Sequence, residues 1–105
     1  MSLDSMKNSS PLHLDRLGTL CLRGQEVATY LFQVPDDESQ WQRMQAIVDE
    51  ILKETDNSPR RELPRLASEL KEAMDGTHDM MAADQLQSGF DRLVKLWKSA
   101  RSGIF

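Results

Sequence analysis

Five residues toward the C-terminal end constrain this chain more than any others. Ala83, Leu86, Phe90, Leu93 and Trp97 follow one another at intervals of three, four, three and four residues. That spacing draws one apolar stripe along a helix, and such a stripe is covered by packing along another helix. No strand pattern of alternating residues competes with it anywhere in the chain.

Three more segments carry helical spacing. The first runs from about Leu12 to Phe32, with Leu14, Leu17, Cys21, Ala28 and Leu31 on one face and Leu20 and Val27 beside them. Gly18 and Gly24 each cost about 1 kcal/mol against alanine inside a helix, so a break near Gly24 is open. Val34-Pro35 ends the segment, because the residue before proline avoids helical dihedrals. The second runs from about Asp37 to Thr55, with Asp36, Asp37 and Glu38 at its start, where acidic groups favour a helix. Trp41, Met44, Val48, Ile51 and Leu52 form its stripe, flanked by Ile47.

The third ends at Met74, before Asp75-Gly76. Its start is ambiguous. It lies at about Pro59 or Glu62: Ser58 and Pro59 suit a cap and a first helical position, but Pro64 is tolerated only in a first turn, so either the helix starts near Leu63 or Pro59 to Glu62 forms a separate turn. Leu63, Leu66, Ala67, Leu70, Ala73 and Met74 make its apolar face. The fourth helix extends from about His78 or Asp79 to Ser102, with Thr77 the better cap by residue type.

Four amphipathic segments joined by short turns predict an all-α fold, an up-and-down four-helix bundle. The alternative is a helical hairpin pair that completes its core by dimerising. At 105 residues there is room for one domain, expected over residues 12–105. Residues 1–11 read as a flexible N-terminal segment, in which Met-Ser-Leu looks like residues added ahead of a native start at Met6. The apolar ending Gly103-Ile104-Phe105 suggests a domain of a longer protein.

Composition narrows the functions. A net charge of −4 and a pI near 5.1 argue against a general nucleic-acid binder. No apolar run approaches the roughly 20 residues that span a bilayer, and the polar start holds no secretory signal. Cys21 is the only cysteine and has no internal disulfide partner. These features point to the cytoplasm and away from membranes.

Catalytic and metal motifs are sparse. His13 and His78 lie in different segments with no Cys pair near them, so no metal ligand set and no cofactor site is expected. His13 reads as a solvated residue and His78 as a loop or cap residue. Cys21 falls on an apolar face, as a small core residue does. Trp41 and Trp97 also fall on buried faces. Met44 and Met74 read as core; Met80 and Met81 lie at the start of the fourth helix, where one of them can be exposed, and core or cap packing is favoured over a partner surface for the pair. Lys95, Lys98 and Arg101 suit a helix C-terminus, and a basic docking patch is the other reading of them.

One constellation invites a sharper hypothesis. Asp84 and Gln87, three residues apart on the fourth helix, share a face, so an acid and an amide could together orient a water. Asp91 and Lys95, an i,i+4 pair in the favourable order, continue that face. Asp84, Gln87, Asp91 and Lys95 are the candidate partner-binding residues, with Asp84 and Gln87 the speculative catalytic pair.

The segment Leu66 to Gly89 resembles histidine-phosphotransfer domains in layout. Those are helical bundles whose phospho-accepting helix reads Ala-His-x-Leu-Lys-Gly. Ala83 and Leu86 match, whereas Asp84 stands in place of the histidine, Gln87 of the lysine and Ser88 of the glycine. The resemblance implies a degenerate module that docks a receiver or kinase domain without carrying phosphate. Three functions follow in order of preference: a non-enzymatic interaction or regulatory domain of bacterial two-component signalling; a response-regulator phosphatase using Asp84 and Gln87; and a self-associating structural module, such as a homodimer.

Overall fold

Each apolar stripe forms one helix in the computed structural model, which describes residues 11–56, 58 and 60–102, with side chains described from Asp15 to Arg101. The helices are α1 (Pro11–Gln33), α2 (Glu38–Thr55), α3 (Glu62–Asp75) and α4 (Met80–Ser102). The expectations for residues 1–10, the His13 side chain, Pro59 as a first helical position and Gly103–Phe105 lie outside the described residues. Among the described residues there is no strand.

α1 is one uninterrupted helix. Its two glycines, which cost helix propensity, are used for close approach. A Cβ at Gly18 would overlap the Trp97 indole, and one at Gly24 would overlap the Phe90 ring. The two largest side chains of the α4 stripe therefore lie directly on α1 backbone. Gly89 does the same for the next seam, where a Cβ would stand 2.7 Å from Leu70 Cδ2 of α3.

The caps explain where the other helices begin. Asp37 stands before α2 in extended conformation, and its Oδ1 accepts from the Gln40 amide at 3.3 Å. Asp37 also accepts from Ser39 Oγ at 2.6 Å and Tyr30 Oη at 2.7 Å. Those hydrogen bonds, Ser39 first and Tyr30 next, hold its carboxyl below the usual range.

α3 starts at Glu62, which puts Pro64 in the first turn, where its missing N–H removes no helical bond. Ser58 does not cap this helix. Its Oγ accepts from Arg60 N at 3.2 Å and closes the preceding turn instead. The cap of α4 is Asp79 rather than Thr77: Asp79 Oδ1 accepts from Ala82 N at 2.9 Å. Thr77 lies too far upstream to reach those amides.

The four helices form a ring. α1 packs on α2 and α4, α3 packs on α2 and α4, and the diagonal pairs make no backbone approach among the described residues. One buried cluster draws on all four helices, with Trp41, Phe90, Leu17, Leu31 and Met44 among its largest members. The core closes within one chain, so a hairpin pair that must dimerise to complete it does not describe this protein. Leu52 and Ala73, expected in the buried stripes, are only partly buried. Thr55 is fully buried, which its hydroxyl tolerates by donating to Ile51 O at 2.8 Å. Among the described residues, no helix is long and apolar enough to cross a membrane.

Candidate functional site

The four sequence candidates lie along the outer side of α4, where Gln87 and Asp91 reach α1 and Asp84 borders the groove toward α3. Asp84, Asp91 and Lys95 are exposed, and Gln87 is half-buried. The structure ties the middle of this row to α1. Gln87 Nε2 donates to Thr29 Oγ1 at 3.1 Å, and Gln25 Nε2 donates to Asp91 Oδ1 at 2.7 Å. Thr29 in turn donates to Gln25 O at 3.0 Å, one turn back on α1. Asp91 is thus engaged across the seam, and no ion pair joins it to Lys95 among the described residues. The geometric reason is tertiary: α1 offers a donor at close range, so the carboxylate need not reach along its own helix.

Asp84 differs from its neighbours. It borders an open groove of about 460 Å³ between α3 and α4, with Glu69, Glu72, Ser88 and Arg92 on the walls and Leu70 and Gly89 at the floor. Arg92 is already paired with Glu69 at 3.1 Å. The groove therefore presents surplus negative charge, contributed by Glu72 and Asp84. Gly89 deepens it by having no side chain. The acid and the amide of the hypothesised pair thus have different surroundings, Asp84 facing an acidic groove and Gln87 an interhelical hydrogen bond.

At the N-terminal end of α4 the same face turns apolar. Met80 is 52% exposed and Met81 73%, so both, and not one alone, stand outside the core. The helix begins at Met80, so its first buried positions are Ala82 and Ala83, and both methionines precede them. Phe32 and Val34 are exposed at the end of α1. Gly18 against Trp97 and Thr29 against Gln87 establish that α1 and α4 run antiparallel. The end of α1 and the start of α4 therefore lie at the same end of the bundle, which gathers four exposed apolar side chains there. Their individual sequence signals were weak, because each lies at the edge of a helix rather than inside a periodic stripe.

Two other groups belong to the frame. Burial pushes the Cys21 thiol up to about 12, so it is a packed, protonated side chain rather than a nucleophile. His78 does more than fill a loop. Its ring stacks on Trp41 with centroids 4.4 Å apart, and its Nε2 lies 3.0 Å from Met74 O. Nδ1 lies 3.6 Å from Glu38 Oε1, so the residue links the α3–α4 connection to α2. Only the tertiary fold brings these partners together. Among the described residues, no group of three His, Cys, Asp or Glu side chains is placed to hold a metal.

Family models, curated proteins and solved structures yield no match to this chain.

Proposed function

We propose that this chain is a helical interaction module whose outer α4 face docks a partner protein, of the receiver or kinase class that the phosphotransfer-like layout implies. The observation that carries the reading is the joining of two surfaces on that face. A polar row of Asp84, Gln87, Asp91 and Lys95 runs into an exposed apolar end of Phe32, Val34, Met80 and Met81. Apolar anchors beside a polar rim are the arrangement that protein interfaces use, and exposed methionines adapt to a partner's shape. With Asp84 where a phospho-accepting histidine would stand, docking proceeds without phosphate transfer through that position.

The enzymatic reading is less well served. An acid–amide pair that orients a water needs both groups aimed at one point, and Gln87 turns one N–H toward Thr29 on α1 while Asp84 borders the α3/α4 groove.

Binding assays decide the matter. Receiver and kinase domains are titrated against the wild-type chain, Met80→Asp/Met81→Asp and Asp84→Ala/Gln87→Ala. The proposal expects saturable binding that the methionine variant weakens by at least about tenfold, the scale of an interface hot spot. Binding indifferent to both variants would overturn the assignment of the face. Restored phosphoryl turnover by the wild type, lost in Asp84→Ala/Gln87→Ala, would replace docking with catalysis.

A further inference from the structure

The seam between α1 and α2 contains a charge arrangement that the docking face does not use. Two contacts set its antiparallel register. Near one end, Arg16 pairs with Glu50 at 2.9 Å and Glu54 at 2.8 Å. Near the other, Tyr30 donates to Asp37 at 2.7 Å. Between these points the register sets Arg23 opposite Arg43. Both line one groove of about 340 Å³, together with Glu26, Val27, Tyr30 and Gln40.

This arrangement is the reverse of the one two turns away. Arg16 meets two carboxylates, whereas Arg23 shares a groove with a second arginine. Among the described residues, neither Arg23 nor Arg43 has an ion pair or a side-chain hydrogen bond, and the Gln40 side chain is equally free. The chain has 17 acidic residues against 13 basic ones, so cations left facing each other are not a consequence of scarce acids. Two guanidinium forks with an amide beside them are the donor set that grips a tetrahedral oxoanion.

We infer that Arg23, Arg43 and Gln40 form a binding site for a phosphate group. The arginines supply bidentate donors and the charge, and Gln40 supplies a neutral donor. Glu26 limits the site. Its carboxylate weakens the hold on a bare phosphate dianion and accepts a hydrogen bond from a ligand that carries a donor beside its phosphate. The site lies on α1 and α2, independent of the α4 docking row.

The test is an NMR titration of the full ¹⁵N-labelled chain with inorganic phosphate at constant ionic strength, following the Arg Nε–H and Gln side-chain signals. Saturable shifts are expected at Arg23, Arg43 and Gln40. Arg23→Gln and Arg43→Gln should each weaken binding about tenfold or more, the scale of a lost charge-assisted hydrogen bond. Glu26→Gln should tighten it by removing repulsion. Both arginines are exposed, so backbone spectra away from the groove should be unchanged in the variants. O-phosphoserine in a parallel titration identifies the source: tighter binding than inorganic phosphate assigns a phosphorylated ligand with a donor group, and equal binding assigns free phosphate. Shifts that fail to saturate, that are as large at Lys95 and Lys98 as in the groove, or that survive Arg43→Gln overturn the site.

Discussion

α1 meets its two neighbours by different means, and the difference separates what holds the bundle together from what it offers to other molecules. Toward α4, contact is made by volume. Glycine notches at positions 18 and 24 receive Trp97 and Phe90, so ring lies on backbone and little freedom remains. Toward α2, much of the outer contact is made by charge. Arg16 with Glu50 and the partly buried Glu54, and Tyr30 with Asp37, are polar contacts at the surface. Close packing is sensitive to the loss or gain of a single methylene. Exposed ion pairs are weak and screened by salt. The α1/α4 contact is therefore the rigid half of the molecule, and the α1/α2 surface tolerates change.

The largest break in that comparison is Phe90→Ala. It empties the notch at Gly24 and should destabilise the fold by roughly 3–5 kcal/mol, measured as a shifted denaturation midpoint with unchanged slope. Gly24→Ala comes next. Its gain of about 1 kcal/mol in helix propensity is opposed by overlap with the Phe90 ring, which costs about 1–3 kcal/mol, so the net change should be destabilising. The double variant Phe90→Ala/Gly24→Ala sharpens the point: with the ring removed, Gly24→Ala should become stabilising. Additive effects in that cycle would show that the ring does not occupy the notch.

A smaller effect belongs to Cys21. Its folded-state pKa, about 12, is raised above the unfolded value of roughly 8.5. The neutral thiol is thus favoured by folding: this contribution is whole below about pH 8.5 and is lost as pH rises through the folded value. Stability of the wild type should fall over that alkaline range more steeply than that of Cys21→Ala, and native-state alkylation should be slow. The smallest effect is expected from Arg16→Ala, whose side chain is mostly exposed. It should leave the melting temperature nearly unchanged, with any loss vanishing at high salt. A large, salt-insensitive loss would put the α1/α2 seam on the same footing as α1/α4.

Much of the architecture was legible in residue spacing. The α4 stripe from Ala83 to Trp97 is buried along its whole length, and the end of α1 at Val34-Pro35 follows from proline's effect on its neighbour. The shared face of Asp84, Gln87, Asp91 and Lys95 was also readable, because helical periodicity alone determines which residues of one helix point the same way. Their hydrogen-bond partners were not. Thr29 lies 58 positions from Gln87, and Gln25 lies 66 from Asp91. The two methionines at the start of α4 misled because burial statistics for a residue type do not include its place in a helix. Asp79 as the cap is not legible from residue type, because the cap position depends on where α4 begins.

The sequence by itself determined which segments are helical, which side of each is apolar and that four such sides require a shared core, since these are consequences of local geometry and of water's exclusion of apolar surface. Only the tertiary structure decided what the glycines of α1 are for, which carboxylates are engaged across helices and that Arg23 and Arg43 line one groove. Each of those is a relation between residues far apart in the chain. It depends on the register at which helices slide together, and that register is set by the sum of many packing contacts rather than by any local pattern.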